Sequence, residues 1–255
     1  MTISTYKEFI SGVKRHPENF YIIHYSCQSL NDENEGLSPR ITSIAVQHLS
    51  TDQTVSFSMH AVAEELRIVR DDVKGRMDEV ETVLLRAFNE FIRDRRDKYW
   101  VHWNMRNLTY GFEHLQHRYR VLTGADLAVI PVERRINLSD MLRLRYGSDY
   151  VPHPQLINLM ELNGGRHRHF LTGAEEVEAF SAGEYMRMHG STLCKVGFYR
   201  KVINRLISGK LKTKSNSIGV FVDQLLESRI AKFIALIAAL LGVFSGATLM
   251  LSQLV

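Results

Sequence analysis

The chain has 255 residues, 45% apolar and 24% charged, with a formal net charge of +4. That balance belongs to a folded protein and excludes wholesale disorder. Two cysteines, Cys27 and Cys194, stand far apart in no metal or redox spacing, which excludes a disulfide framework and fits a reducing compartment.

Residues 1–14 lack an apolar core of signal-peptide length, so no cleaved leader is expected. Thr5 to Val13 reads as a short helix closed before Pro17. Phe20 to Ser26 is an apolar run of strand length, followed by a polar loop from Asn31 to Arg40. Ile41 to Leu49 reads as a second strand. Gln53 to His60 reads as a third, with Val55, Phe57 and Met59 on one face. Met77, Val80, Leu84, Ala87, Phe88 and Phe91 recur at helical spacing. Tyr99 to Trp103 is a short strand, and Leu108, Phe112, Leu115, Tyr119 and Leu122 form a second helical stripe behind it. Gly164-Gly165 reads as a helix stop, and Thr172 with Glu175 as a helix-capping box.

Three strands, a helix, a strand and a helix open the ribonuclease H-like folds, an α/β class with a mixed sheet followed by C-terminal helices. Within that group the sequence resembles the DEDD (DnaQ-like) 3′–5′ exonucleases, over about Phe20 to Phe180. The resemblance implies an Asp-x-Glu pair at the end of the first strand, a His-Asn junction after the fourth, and a last Asp on a late helix. His24-Tyr25-Ser26, His102-Trp103-Asn104 and Glu175-Glu176 lie at those places. The family's chemistry needs several carboxylates around two hard divalent cations. His24 and Ser26 cannot supply that charge, and the second motif offers only Asn104, Asn107 and Glu113. Metal hydrolysis is therefore not expected, and neither is a cofactor. The rival reading is a divergent exonuclease holding Mg²⁺ through Glu113, Glu175, Glu176 and Asp140.

The segment from Tyr99 to Phe112 gathers both tryptophans, His102, Arg106 and two asparagines around a strand end. Strand ends of α/β sheets commonly hold ligands, and aromatics beside an arginine can stack bases. His24, Trp103, Asn104 and Arg106 are thus candidate ligand or base contacts; the plainer alternative is an aromatic core corner. His114 with His117 and His167 with His169 lack the third and fourth ligands that zinc needs. Cys194 reads as a buried helix residue.

Eight bases and no acids lie between Tyr185 and Val222. Lys195, Arg200, Lys201, Lys210, Lys212 and Lys214 are the candidates for contact with phosphates of nucleic acid or lipid, against a merely solvated basic face. Ser208-Gly209 and Ser215-Asn216-Ser217 suggest a flexible connector. Ile218, Phe221, Val222, Leu225, Leu226 and Ile230 suggest an amphipathic helix. From Phe233 to Val255 the chain runs 23 residues without a charge. At about 1.5 Å per residue, that length crosses a hydrocarbon core of about 30 Å. Arg229 and Lys232 precede the run and no base follows it, so a single-pass C-terminal anchor with a cytoplasmic N-terminal domain is expected. Ala235, Ala239, Gly242 and Gly246 form one small-residue stripe along it, the kind of face on which membrane helices pair.

Three regions follow: an exonuclease-like domain at 1–182, a basic helical region and connector at 183–217, and an amphipathic helix with its anchor at 218–255. The function expected is that of a membrane-tethered, catalytically inactive nuclease-like protein binding nucleic acid or a nucleic-acid-binding partner. It would self-associate through the membrane helix. The layout is similar to that of bacterial anti-phage defence effectors, and an oligomeric scaffold whose helices perturb the membrane is the structural rival. The anchor has a direct test. Carbonate washing should leave the full chain in the membrane pellet and release a chain ending at Lys214; full-length protein in the supernatant would refute it.

Overall fold

The computed structural model describes residues 3–29, 38–106 and 108–214. The uncharged run 233–255, with Ala235, Ala239, Gly242 and Gly246, lies outside the described residues, as do the amphipathic stretch 218–230 and Asn107. Among the described residues no helix is long and apolar enough to cross a membrane.

The chain opens with α1 (Tyr6–Arg15), started by a capping box in which Thr5 Oγ1 accepts from Glu8 N at 3.2 Å and Glu8 Oε2 accepts from Thr5 N at 3.0 Å. Then come β1 (Phe20–Cys27), β2 (Ile41–His48) and β3 (Thr54–Ser58), a short α2 (Met59–Glu65) and the long α3 (Met77–Arg93). They are followed by β4 (Tyr99–His102), α4 (Phe112–Thr123), β5 (Arg135–Asn137) and α5 (Leu138–Tyr146). The described part closes with α6 (Gln155–Leu162), α7 (Gly173–Ser181) and α8 (Tyr185–Ile207).

The five strands form one mixed sheet in the order β3-β2-β1-β4-β5. β2 runs against the other four, being antiparallel to both β1 and β3, while β1, β4 and β5 are parallel. This arrangement is consistent with a ribonuclease H-like fold. β1 is central and carries apolar groups on both faces, because neither face sees water. Ile23 and Tyr25 enter one core with Leu84 and Phe88 of α3 and Leu115 of α4. Phe20 and Ile22 enter the other with Leu142 of α5, Leu159 of α6 and Val202 and Ile203 of α8. The alternation follows the two-residue period of a strand.

The strands and helices expected up to residue 123 are present, with three shifts: the third strand stops at Ser58, so Met59 and His60 begin α2 and leave the strand face, and two more follow. The fourth strand ends at His102 and the next helix begins at Phe112, so Leu108 is exposed and off the stripe. Asn104 takes a left-handed turn (φ 53°), and Arg106 N bonds Tyr110 O at 3.0 Å, closing a loop before Gly111. The capping box at the start of α7 is present: Thr172 Oγ1 accepts from Glu175 N, and Glu175 Oε2 accepts from Thr172 N at 2.7 Å. α8, read from the sequence as a basic region outside the domain, lies across β1 and β2 and fills the second core.

Ionic groups in these cores are tightly held. Fully buried Glu81 of α3 receives Arg118 of α4 through two bonds of 2.7 Å and Ile41 N at 2.8 Å, joining both helices to the start of β2. Several imidazoles are held neutral. Burial, reinforced by Arg106 and Arg135, lowers His102 to about 3. Burial lowers His114 to about 4, while its Nε2 lies 2.9 Å from Pro39 O and its Nδ1 3.0 Å from Tyr25 OH.

A pH dependence follows. The unfolded chain protonates these imidazoles near pH 6.5, and the folded chain only near 3 to 4, so acidification favours unfolding across that window. Each imidazole then contributes a slope of up to about 1.4 kcal/mol per pH unit. His114→Gln keeps a donor for Pro39 and should remove one such increment from denaturation free energies measured between pH 6 and 4.5. An unchanged slope would mean His114 titrates normally in the fold.

Candidate functional site

Because β1, β4 and β5 are parallel, their C-terminal ends share one edge, the position where open α/β sheets place ligands. Toward that edge β1 turns Ser26 against α7 and α8. Ser26 Oγ donates to Glu176 Oε1 at 3.0 Å and lies 2.8 Å from Thr192 Oγ1. Ser191 Oγ reaches the same carboxylate oxygen at 2.9 Å, and Lys195 Nζ reaches it at 2.6 Å. Both charged side chains are withdrawn from water, Lys195 to 7% and Glu176 to 12% exposure. The ammonium also lies 5.4 Å from the centre of the Phe170 ring, a cation–π distance.

Two residues back along β1, His24 faces the same helix. Its Nδ1 is 2.9 Å from the Tyr110 hydroxyl and 3.3 Å from that of Tyr199. The Tyr110 hydroxyl donates to Tyr25 O at 3.1 Å. Nε2 is buried with no hydrogen-bond partner among the described residues. Burial, then the charge of Lys195, holds His24 well below its ordinary range. Burial pushes the Tyr110 and Tyr199 phenols well up, so both stay protonated. The chemistry available here is hydrogen bonding by neutral groups around one neutralised carboxylate.

At the end of β4, Trp103 stacks on Tyr199 with ring centres 5.9 Å apart, turning inward. Asn104 and Asn137 exchange bonds at 3.2 and 3.1 Å, and Arg106 donates to Asn104 Oδ1 at 3.0 Å and Asp140 Oδ1 at 2.6 Å. Of the candidate contact residues, His24 and Trp103 thus meet through Tyr199, while Asn104 and Arg106 form a separate polar cluster with β5.

The metal test turns on the acids, and each is engaged elsewhere. Glu113 pairs with Arg135, Glu175 caps α7, and Asp140 is shared by Arg106 and by Arg143 at 3.8 Å. Among the described residues Glu176 alone stands at the strand end, with Lys195 on it. Among the described residues no three His, Cys, Asp or Glu side chains converge on a metal position. One carboxylate already carrying an ammonium does not fit two divalent cations.

The basic residues divide. Lys195 is buried on Glu176, which removes it from any phosphate. Arg200 is pinned to Leu49 O at 2.6 Å and Asp52 at 2.8 Å. Lys201, Lys210, Lys212 and Lys214 are exposed, with no carboxylate in ion-pair reach among the described residues. Ser191, Thr192, Tyr110 and Tyr199 did not emerge from the sequence. Ser191, Thr192, Lys195 and Tyr199 follow one another at helical spacing, and that polar stripe was the available signal.

No family model matches the chain, and no curated protein matches it. Among solved structures the chain is similar to the EXO domain of Nibbler from Aedes aegypti, at 10% identity over 81% of this chain and 99% of that one. The TM-score is 0.34, too loose a superposition to inform the chemistry.

The ion pair makes the site testable. Lys195→Met strands a buried carboxylate and should cost about 3–5 kcal/mol of unfolding free energy. Adding Glu176→Gln should recover most of that loss in the same denaturant titration. A double variant as unstable as Lys195→Met would mean that packing, and not charge, is at stake.

Proposed function

We propose that the chain is a nuclease-like module of the ribonuclease H-like type that binds nucleic acid without metal-dependent hydrolysis, held at a membrane by the run 233–255. One observation carries the first half of this reading: the Lys195 ammonium lies 2.6 Å from Glu176, the only carboxylate at the strand end among the described residues. An internal cation stands where an external one would have to bind, and Ser26, Ser191 and Thr192 offer hydroxyls in place of acids. Two-metal hydrolysis needs charge that these groups do not have.

The binding half rests on the strap after α8. From Lys210 to Lys214 exposure alternates: Leu211 and Thr213 are buried, and Lys210, Lys212 and Lys214 face outward. The strap is docked through Lys212 N on Asn163 Oδ1 at 3.0 Å, Lys212 O on Asn163 Nδ2 at 2.8 Å, and Lys214 N on Tyr150 O at 2.8 Å. The segment read from the sequence as a flexible connector is therefore ordered as far as Lys214. Three lysines facing outward from one docked segment suit a polyanion.

The test uses the full chain in detergent with labelled single-stranded DNA and RNA. The strands should remain intact with Mg²⁺ or Mn²⁺ present, and binding should weaken steeply with salt. Changing Lys210, Lys212 and Lys214 together to Gln should reduce the log–log salt slope by about 2, at roughly 0.7 per phosphate contact on a single strand. Salt-independent binding, or exonucleolysis abolished by Glu176→Gln, would overturn the reading.

A further inference from the structure

We propose that the groove between α8 and the turn at 164–168 is a pocket for a nucleotide, meaning a phosphorylated ligand with an apolar body. It is separate from the strand-end site and from the lysine strap, so it stands or falls independently of nucleic-acid binding there. The cavity measures about 600 Å³, within the range of about 300–1,000 Å³ typical of small-molecule sites.

Its chemistry is divided as such a ligand requires. The floor is apolar, formed by buried Met160 of α6 and Phe198 of α8. The rim is cationic, and no acidic side chain lines it. Lys201 has no carboxylate in reach among the described residues, and Arg168 Nε donates to His169 Nε2, at 3.1 Å. Neighbouring bases are paired: Arg166 is held by Glu161 at 2.9 Å and Arg200 by Asp52. Arg168 and Lys201 are thus two converging positive charges that the fold leaves unneutralised, above a surface that prefers a base or sugar to water.

Backbone shape keeps this groove open. Gly164 has φ +116°, a conformation that side chains rarely adopt. A Cβ there would lie 2.8 Å from Lys201 Nζ, which places the end of that flexible side chain over the turn. On the opposite wall, a side chain at Gly197 would meet nothing within 4 Å and would project into the groove. Cys194, Gly197, Phe198 and Lys201 form one helical stripe on α8, the flank that does not face the sheet.

The full chain in detergent, titrated with ADP bearing a fluorophore on its ribose, should bind saturably. Arg168→Gln and Lys201→Gln should each weaken binding about tenfold or more, the range for one charge-assisted contact. Gly197→Leu, a favourable change at an exposed helical position, should abolish binding without lowering Tm. Lys14→Gln on α1 should have no effect. Displacement by unlabelled ADP alone assigns the pocket to a free nucleotide, and displacement by a 5′-phosphorylated oligonucleotide assigns it to the end of a strand. Absence of saturable binding at millimolar probe, equal weakening by Lys14→Gln, full binding by Gly197→Leu, or displacement only by anionic vesicles would overturn it.

Discussion

One carboxylate oxygen, Glu176 Oε1, ties together three elements, β1, α7 and α8, that also pack through the apolar cores. It accepts from Ser26 of β1 and from Ser191 and Lys195 of α8, at 2.6 to 3.0 Å. Glu176 can reach them because the capping box of Thr172 and Glu175 sets where α7 begins, and Glu176 is the next residue. Away from water such bonds gain strength, and an unpaired partner becomes correspondingly expensive, so the arrangement tolerates little slippage. α8 must therefore turn Ser191, Thr192, Lys195 and Tyr199 toward the sheet. Its opposite flank is then left to Cys194, Gly197 and Lys201, and both the silent strand end and the open groove follow from that rotation.

Two mostly buried ion pairs hold this domain, and their chemistry differs. Glu81 meets the planar Arg118 fork through two bonds and also satisfies Ile41 N. Burial pushes its pKa up against the opposing pull of Arg118. That pair is a structural rivet between α3, α4 and the sheet, suited to a group that presents fixed parallel donors. Lys195 is a compact point charge on a flexible stem. Such a charge can occupy the position of a small cation and accept several acceptors around it. The difference leaves the strand end with an electrostatic centre built from the chain's own ammonium and carboxylate.

The same logic sorts the remaining cations. A net charge of +4 describes the chain but not its surface. Lys195 and Arg118 are consumed inside, Arg200 is tied to β2's turn through Leu49 and Asp52, and Arg135 and Arg106 are spent on Glu113 and Asp140. Lys201 and Arg168 at the groove and Lys210, Lys212 and Lys214 along the docked strap have no carboxylate in ion-pair reach among the described residues, and neither do Lys14, Arg67, Arg70, Arg86 and Arg93 elsewhere on the surface.

Local chemistry made much of the fold legible. The apolar run of β1, the alternation of β3, the apolar stripes of α3 and α4 and the capping box at Thr172 are short-range patterns, and the order of elements they define leads to the mixed sheet. Replacement of the expected acids by His24 and Ser26 was equally visible, since it needs only residue identity. β5 was not: three residues, Arg135 to Asn137, carry too little periodicity to announce a strand, and it exists because β4 offers it a parallel edge. Nor was the fate of Lys195, which resembles its basic neighbours in sequence and differs only in what α7 brings across to it. A residue's type and spacing determine which interactions it can make. Which one it does make depends on partners 19 residues away, as for Lys195 with Glu176, or 150 away, as for Glu176 with Ser26, and only the folded chain supplies those.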